Sequence, residues 1–440
     1  MRRRKCLLAL LWLVYIAAIS VLAYSRRGAM ATVFDFEYAF GDIVRSLYEN
    51  NRYASFDGFL TAHRMPFIPY FLLTLTLLNP NALFVYIAKN ILMFSLSGVA
   101  FYWIAQHLRQ EVRIWFWLLM ILVFFSPPII QYGTMPDVEE GYLIHLVAFI
   151  FACLCFYDDF KLSGNKGMLL LLAFANAIIF LTKSSMMISS CLLAGAFFLR
   201  SHKDTKVLGF FVGALVIAAM LWGGMNLSHS GRFSLSSSLN GWNFYKGNNK
   251  YTATLYPPYN LDLLDQKNGL LIEGIDEVVH SEWDLNQYGL DNGINFIITS
   301  PQEAAQLFVQ KFYVFFVEIR RTPIWEGEQQ LGSLIDWISV PFMLVFRLLF
   351  AGLVIRILRY VFLERDRISS ENDAATLIGV IFVAFVGIYA VPYLIGFAYE
   401  RHVSVLIMPT VIVCIYWLNQ CPLTPTCSRL LRFAQRRTGV

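Results

Sequence analysis

The sequence predicts an all-α polytopic membrane protein with about ten transmembrane helices. Three observations carry that expectation. Of 440 residues, 57% are hydrophobic and only 15% are charged, whereas soluble chains run near a quarter charged. Apolar runs recur along the chain, most of them close to the roughly 20 residues that cross a bilayer. Aromatic residues reach 16%, with 38 Phe, as expected where rings meet lipid and its interface. Such a composition excludes a disordered chain and argues against a soluble globular one.

The expected spans lie near 6–24, 81–107, 114–132, 138–157, 167–182, 184–200, 207–226, 334–360, 374–397 and 403–420. The first follows Arg2, Arg3, Arg4 and Lys5. Its apolar core is too long for a signal peptide, so it is expected to be a retained helix. The long run 167–200 is cut at Lys183-Ser184-Ser185, which reads as a tight turn between two short spans. Three modules result: 1–226 as a transmembrane catalytic unit containing a first outer loop at 25–65, 227–333 as a larger outer loop, and 334–440 as terminal spans with a short tail.

Charge fixes the expected orientation. Arg109, Arg113, Lys161, Lys166, Arg200, Lys203, Lys206, Arg356, Arg359, Arg365 and Arg367 fall on the side of the N-terminus. The positive-inside bias makes that side cytoplasmic, with both termini there. The same placement accounts for the net charge of +5, so nucleic acid is not expected as a partner. The seven Cys sit mostly inside apolar runs and show no CxxC or Cys/His spacing for zinc.

Two short stretches of the first outer loop stand out. Residues 32–53 place Phe36, Phe40, Ile43, Val44 and Leu47 at helical spacing, with Asp35, Tyr38, Asp42, Arg45 and Glu49 opposite. That pattern predicts an amphipathic helix lying along the membrane surface. Thr32-x-x-Asp35 has the form of a capping box, so Asp35 has a purely structural role open to it. After His63-Arg64-Met65-Pro66 comes an apolar run too short to span, expected as a juxtamembrane helix.

Charges also gather at the other outer connections: Asp137, Glu139 and Glu140 before the fourth span, Lys183 between the fifth and sixth, and Arg401 before the tenth. A charge within the apolar layer costs about 2.5–3.5 kcal/mol on insertion scales, so such residues are functional candidates. They could equally pair with one another and stitch helices together. Taken jointly, carboxylates and cations at one depth suit a lipid-linked phosphate donor. The cations would hold the phosphate while a carboxylate takes a proton from an incoming hydroxyl.

Several of these segments resemble, in order along the chain, the GT-C class of polytopic glycosyltransferases that use polyprenyl-phosphate sugars. Protein O-mannosyltransferases and lipid A aminoarabinose transferases are the most similar members. The likeness runs through Asp35-Phe36-Glu37-Tyr38, His63-Arg64-Met65-Pro66, Pro136-Asp137-Val138-Glu139-Glu140 and Leu181-Thr182-Lys183. It continues through Gly241-Trp242-Asn243-Phe244-Tyr245-Lys246-Gly247-Asn248-Asn249 and Arg401-His402 with Pro409. Two features depart from it: no large C-terminal outer domain follows, and the first motif is Asp-x-Glu rather than adjacent acids.

The resemblance implies a bacterial inner-membrane glycosyltransferase with a periplasmic active site. It would move a sugar from a polyprenyl-phosphate donor to a lipid, glycan or protein acceptor. The resemblance makes Asp35 the base, with Glu37 the alternative carboxylate, and Arg64 a phosphate ligand; Lys183 and Arg401 would join it. Asp137, Glu139 or Glu140 would orient the acceptor or help hold a divalent cation such as Mg or Mn. Trp242, Tyr245 and Tyr251 would stack on a sugar or pack the outer loop. Two other classes compete: an O-antigen polymerase or ligase, and a transporter or flippase. The first would give the Asp35 loop no special role; the second commonly shows internal repeats, and none is visible here.

Overall fold

The computed structural model describes residues 2–26, 30–36, 40–55, 62–255, 280–318, 331–363, 373–396, 398 and 400–420. The described residues form helices joined by turns and short irregular segments, with no strand among them and one isolated bridge between Thr32 and Asn81. In chain order the helices are α1 (Arg2–Arg26), α2 (Phe40–Asn50), α3 (Phe67–Leu78), α4 (Ala82–His107), α5 (Gln110–Phe124) and α6 (Pro127–Thr134). Then come α7 (Glu140–Cys155), α8 (Lys166–Thr182), α9 (Met187–Arg200), α10 (Thr205–Ser230), α11 (Leu239–Gly247) and α12 (Lys250–Leu255). The last five are α13 (Glu282–Thr299), α14 (Pro301–Phe316), α15 (Leu331–Leu363), α16 (Asp373–Ile395) and α17 (Glu400–Gln420).

All ten expected runs are helical. Five helices are long and apolar enough to cross a membrane: α4, α10, and the segments Val340–Arg359, Ala374–Ile395 and Arg401–Gln420. The expected span 114–132 is not one rod. It breaks at Ser126 into α5 and α6, bent by 59°, and makes a sixth crossing only if the pair counts as one. Pro127 and Pro128 cause the break, because proline lacks the amide and clashes with the preceding turn. The apolar stretches Ala9–Ser25, α7, α8 and Ser184–Arg200 are shorter. The chain is thus a helical, multi-pass membrane protein.

α7 is the centre of the molecule. Every residue from Glu140 to Cys155 is buried, as befits a helix that is apolar on all sides. It packs between α4, α8 and α17. Peripheral helices keep an apolar outer face; α10 leaves Val216, Ile217, Met220 and Leu221 exposed.

The bundle has two chemically different ends. At one, the Arg109 amide donates to Asn419 Oδ1 at 3.0 Å, and Arg200 pairs with Asp158 at 2.6 Å. At the other lie the start of α7, the end of α8, the start of α9 and the start of α17. Those four helices each run from one end to the other. Arg64, Glu139, Glu140, Lys183 and Arg401 meet at this second end.

The first outer loop follows its pattern in part. Thr32 and Asp35 close the expected capping box on a short 3-10 turn, Val33–Asp35. α2 buries Phe40, Ile43, Val44 and Leu47 and exposes Asp42 and Glu49. α3 starts directly after Pro66, as the short apolar run implied.

Candidate active site

A cavity of about 880 Å³ opens at the second end of the bundle, within the range of small-ligand sites. Among the described residues, Arg64, Lys183, Lys246 and Arg401 line it together with one carboxylate, Glu139. His63, Ser184, Asn240, Trp242, Tyr393 and His402 complete the polar and aromatic wall.

Each of these side chains is delivered by a definite local device. The segment 62–66 is clamped from three sides. Tyr53 Oη donates to the Arg64 carbonyl at 2.8 Å, the Ser238 amide donates to the Ala62 carbonyl at 2.9 Å, and the Ala62 amide donates to the buried Glu282 carboxylate at 2.9 Å. Glu282 also accepts from Ser238 Oγ at 2.7 Å. One carboxylate therefore ties the first outer loop to the second. Arg64 then reaches Glu139 Oε1 at 3.2 Å and lies over the Phe40 ring.

Glu139 and Glu140 are adjacent in sequence but serve different partners. Glu139 precedes α7 and faces the cavity. Glu140 is fully buried and accepts from Lys183 Nζ at 2.7 Å, with His402 Nε2 3.7 Å away. Lys183 can do this because the chain leaves the helix there. Its backbone is extended, at φ −151° and ψ 123°, between α8 and the 3-10 turn Ser184–Met186. The expected tight turn is thus the feature that aims the lysine. His402 is fixed in turn: Tyr393 stacks on its ring at 4.0 Å, and Tyr389 Oη donates to its carbonyl at 2.7 Å. Arg401 lines the cavity beside it and acts electrostatically on both Glu140 and Lys183.

The outer-loop motif around Trp242 reaches the site by close helix crossing. α11 and α13 approach so tightly that a Cβ on Gly241 would stand 1.9 Å from the Asn286 carbonyl oxygen, and one on Gly289 would stand 2.4 Å from that of Gly241. Only glycine permits this backbone contact. The crossing puts Trp242 on the cavity wall. Tyr245 and Tyr251 do not line the cavity and pack with Leu239, Leu285 and Tyr288 behind Trp242.

Asp35 and Asp137 are not among the cavity-lining residues. Asp35 is exposed, and its Oδ2 accepts from the Thr32 amide at 2.9 Å and the Thr32 hydroxyl at 3.2 Å. These bonds, the amide's first, hold its carboxyl below the usual range. Asp137 is buried beside Lys89, on which it acts electrostatically. Lys89 donates to the Gly133 carbonyl at 2.6 Å and so satisfies the end of α6. Glu37 lies outside the described residues.

Lys246 and His63 stand in motifs quoted from the sequence, with no role of their own assigned there. Lys246 Nζ lies 5.9 Å from the Trp242 ring centre. Spacing could have found it, since residues four apart share a helix face. His63 is held down to about 3, by burial first and then by the Arg64 and Lys246 charges. Its imidazole is therefore neutral near pH 7 and adds a hydrogen-bonding group without charge. Among the described residues no three His, Cys, Asp or Glu side chains converge as a metal site would require. Glu139 and Glu140 each turn an oxygen to a basic side chain, where a hard cation would otherwise bind.

Set against known proteins, the chain matches no family model, no curated protein and no solved structure.

Proposed function

We propose that the chain is a membrane glycosyltransferase that moves a sugar from a polyprenyl-phosphate donor to an acceptor hydroxyl. The observation that carries this reading is the cavity lining: among the described residues, four basic side chains stand around a single carboxylate at one end of a membrane bundle. The lining is net positive, which suits a phosphate. Its position next to apolar helices suits a phosphate that arrives on a lipid. In this reading all ten apolar runs cross the bilayer, and the Arg-rich end is cytoplasmic. The cavity then opens on the periplasmic side of a bacterial inner membrane.

The chemistry needs two things from the protein. Positive charge must stabilise the departing phosphate oxygens, and a base must receive the acceptor proton. Arg64, Lys183, Lys246 and Arg401 supply the charge. Glu139 is the carboxylate we place as base, because among the described carboxylates it alone lines the cavity; Asp35 is the alternative that the family resemblance implies. The acceptor oxygen attacks the anomeric carbon while the bond from that carbon to the phosphate oxygen breaks. The bonding electrons leave on the phosphate, the proton passes to Glu139, and the anomeric configuration inverts. Trp242 offers its face to the sugar.

The test is transfer itself. Purified chain in vesicles, supplied with polyprenyl-phosphate sugars and envelope extract, should produce a glycan or lipid heavier by one sugar. A deletion strain should lack that same mass in its envelope. Envelope glycans and lipids identical to wild type, with no transfer in vesicles, would remove the enzymatic reading.

A further inference from the structure

All of α14 falls in what the sequence presents as an outer loop, yet its contacts reach well down the membrane helices. Lys311 Nζ donates to the Ile395 carbonyl at 3.3 Å and to Asn248 Oδ1 at 3.1 Å. Ile395 ends α16 and lines the cavity. One turn later Phe315 stacks on Tyr393 at 5.8 Å and meets Tyr389 at 6.2 Å. Phe316 then stacks on Phe350, which itself touches Phe382 in the middle of α16. Ile395 to Tyr389 is about 9 Å along a helix axis. α14 therefore descends beside α16, antiparallel to it, and ends among residues of two segments long and apolar enough to cross the membrane.

The chain also returns. Ile357 lies against Gly379, and Leu349 against Cys414, so α15 runs with its C-terminus toward the Arg109 end. Leu331 is sixteen residues before Arg347, about 24 Å back toward the cavity end. Pro301 and Leu331 thus lie on the same side of the level that Phe316 reaches.

A helix that stops inside the apolar layer leaves carbonyls that no water can satisfy. Arg347 answers that need. It is buried within the span of α15, and it donates to the carbonyls of Phe315 at 2.5 Å, Glu318 at 3.3 Å and Val314 at 3.5 Å.

The outward face of α14 matches this placement. Its first turns carry Gln302, Glu303 and Gln306, while its second half exposes Phe308, Val309, Phe312 and Tyr313. Val309 is 65% exposed. Leu348, the residue after Arg347, is also exposed and belongs to a segment long and apolar enough to cross the membrane.

We propose that α14 is a re-entrant helix capped by Arg347, with the face formed by Phe308, Val309, Phe312 and Tyr313 lying on lipid acyl chains. The inference stands apart from the transfer reaction, since it needs only that α15 and α16 span a bilayer.

Benzoyl-phenylalanine placed at Val309, Phe312 or Gln302 in the full chain tests it, after reconstitution in phosphatidylethanolamine–phosphatidylglycerol vesicles and irradiation. Positions 309 and 312 should give lipid adducts by mass spectrometry, severalfold above position 302. Adducts to a second copy of the chain, or no excess of lipid adducts over position 302, would overturn the proposal. These side chains are exposed, so the probes leave the fold intact.

Discussion

Asp35 and Glu139 are both carboxylates in connections between apolar runs, and the fold puts them to different uses. Asp35 is exposed, and its oxygen accepts from its own turn, from the Thr32 amide and hydroxyl. Glu139 lines a cavity and faces Arg64, which is 75 residues away in sequence. Asp35 sits in the stronger local motif, yet Glu139 has the chemical surroundings. A motif of three or four residues fixes a local hydrogen bond. Whether a carboxylate meets cations depends on which helix ends the tertiary fold gathers.

Removing charge from each region should widen that contrast, most of all at the cavity floor. Lys183→Met strands the Glu140 carboxylate, which is fully buried. Breaking such a pair by deleting one partner costs about 3–5 kcal/mol. The expected result is a sharp fall in folded yield and in the thermal midpoint in detergent. Glu140→Gln combined with Lys183→Met should recover much of the loss, because no buried charge is left alone. A Lys183→Met chain as stable as wild type would show that the pair does not hold the site.

The next comparison separates the two carboxylates by activity. Glu139→Gln should lower transfer by about 10²–10⁴-fold, the usual contribution of a positioned base, with folded yield retained. Asp35→Asn should leave transfer within a few-fold of wild type, since Asp35 does not line the cavity. The opposite outcome, transfer lost with Asp35→Asn and kept with Glu139→Gln, would return the base role to Asp35.

A smaller effect is expected at the two cations that differ in how they were found. Arg64 was legible from sequence and Lys246 was not. A hydrogen bond to a charged group contributes about 1.5–3 kcal/mol, so Arg64→Ala or Lys246→Ala should weaken donor binding on the order of tenfold or more. Titration with polyprenyl phosphate reads it directly. An unchanged affinity for Lys246→Ala would confine that lysine to packing on Trp242.

The helices were largely legible because apolar length needs no tertiary information. Even the break at Lys183 showed in sequence as a charge inside a long run. The bend at Ser126 was missed where hydropathy stayed high across Pro127 and Pro128. Within the site, Arg64, Lys183, Glu139 and Arg401 were legible because charge beside an apolar run is costly and therefore conspicuous. Asp137 satisfied the same rule and lies instead buried beside Lys89. Glu282 and Lys246 were not legible. A polar outer loop contains many charged residues, and only the Gly241–Gly289 crossing and the Ala62 amide single out these two. The descent of α14 was hidden for the same reason, since its polar first turns read as loop.

The smallest effect at neutral pH belongs to His63, and acid should bring it out. The folded chain holds the imidazole down to about 3 from its ordinary 6.5. Between those values the unfolded chain binds a proton that the folded chain refuses, so stability falls as pH drops from about 6.5 toward 3. His63→Gln should be nearly silent at pH 7 and should flatten the fall in thermal midpoint across that interval. Asp35 titrates in the same direction but lower. Its depressed carboxyl favours folding above the usual carboxylate range, and that benefit is lost only as pH falls through its folded value. Asp35→Asn should therefore leave the fall between pH 6.5 and the usual carboxylate range unchanged and alter the curve only below it. If His63→Gln left the slope between pH 6.5 and 3 untouched, the imidazole would have to be solvated rather than buried against Arg64 and Lys246. The segment 62–66 would then be less tightly clamped than its bonds to Tyr53, Ser238 and Glu282 require.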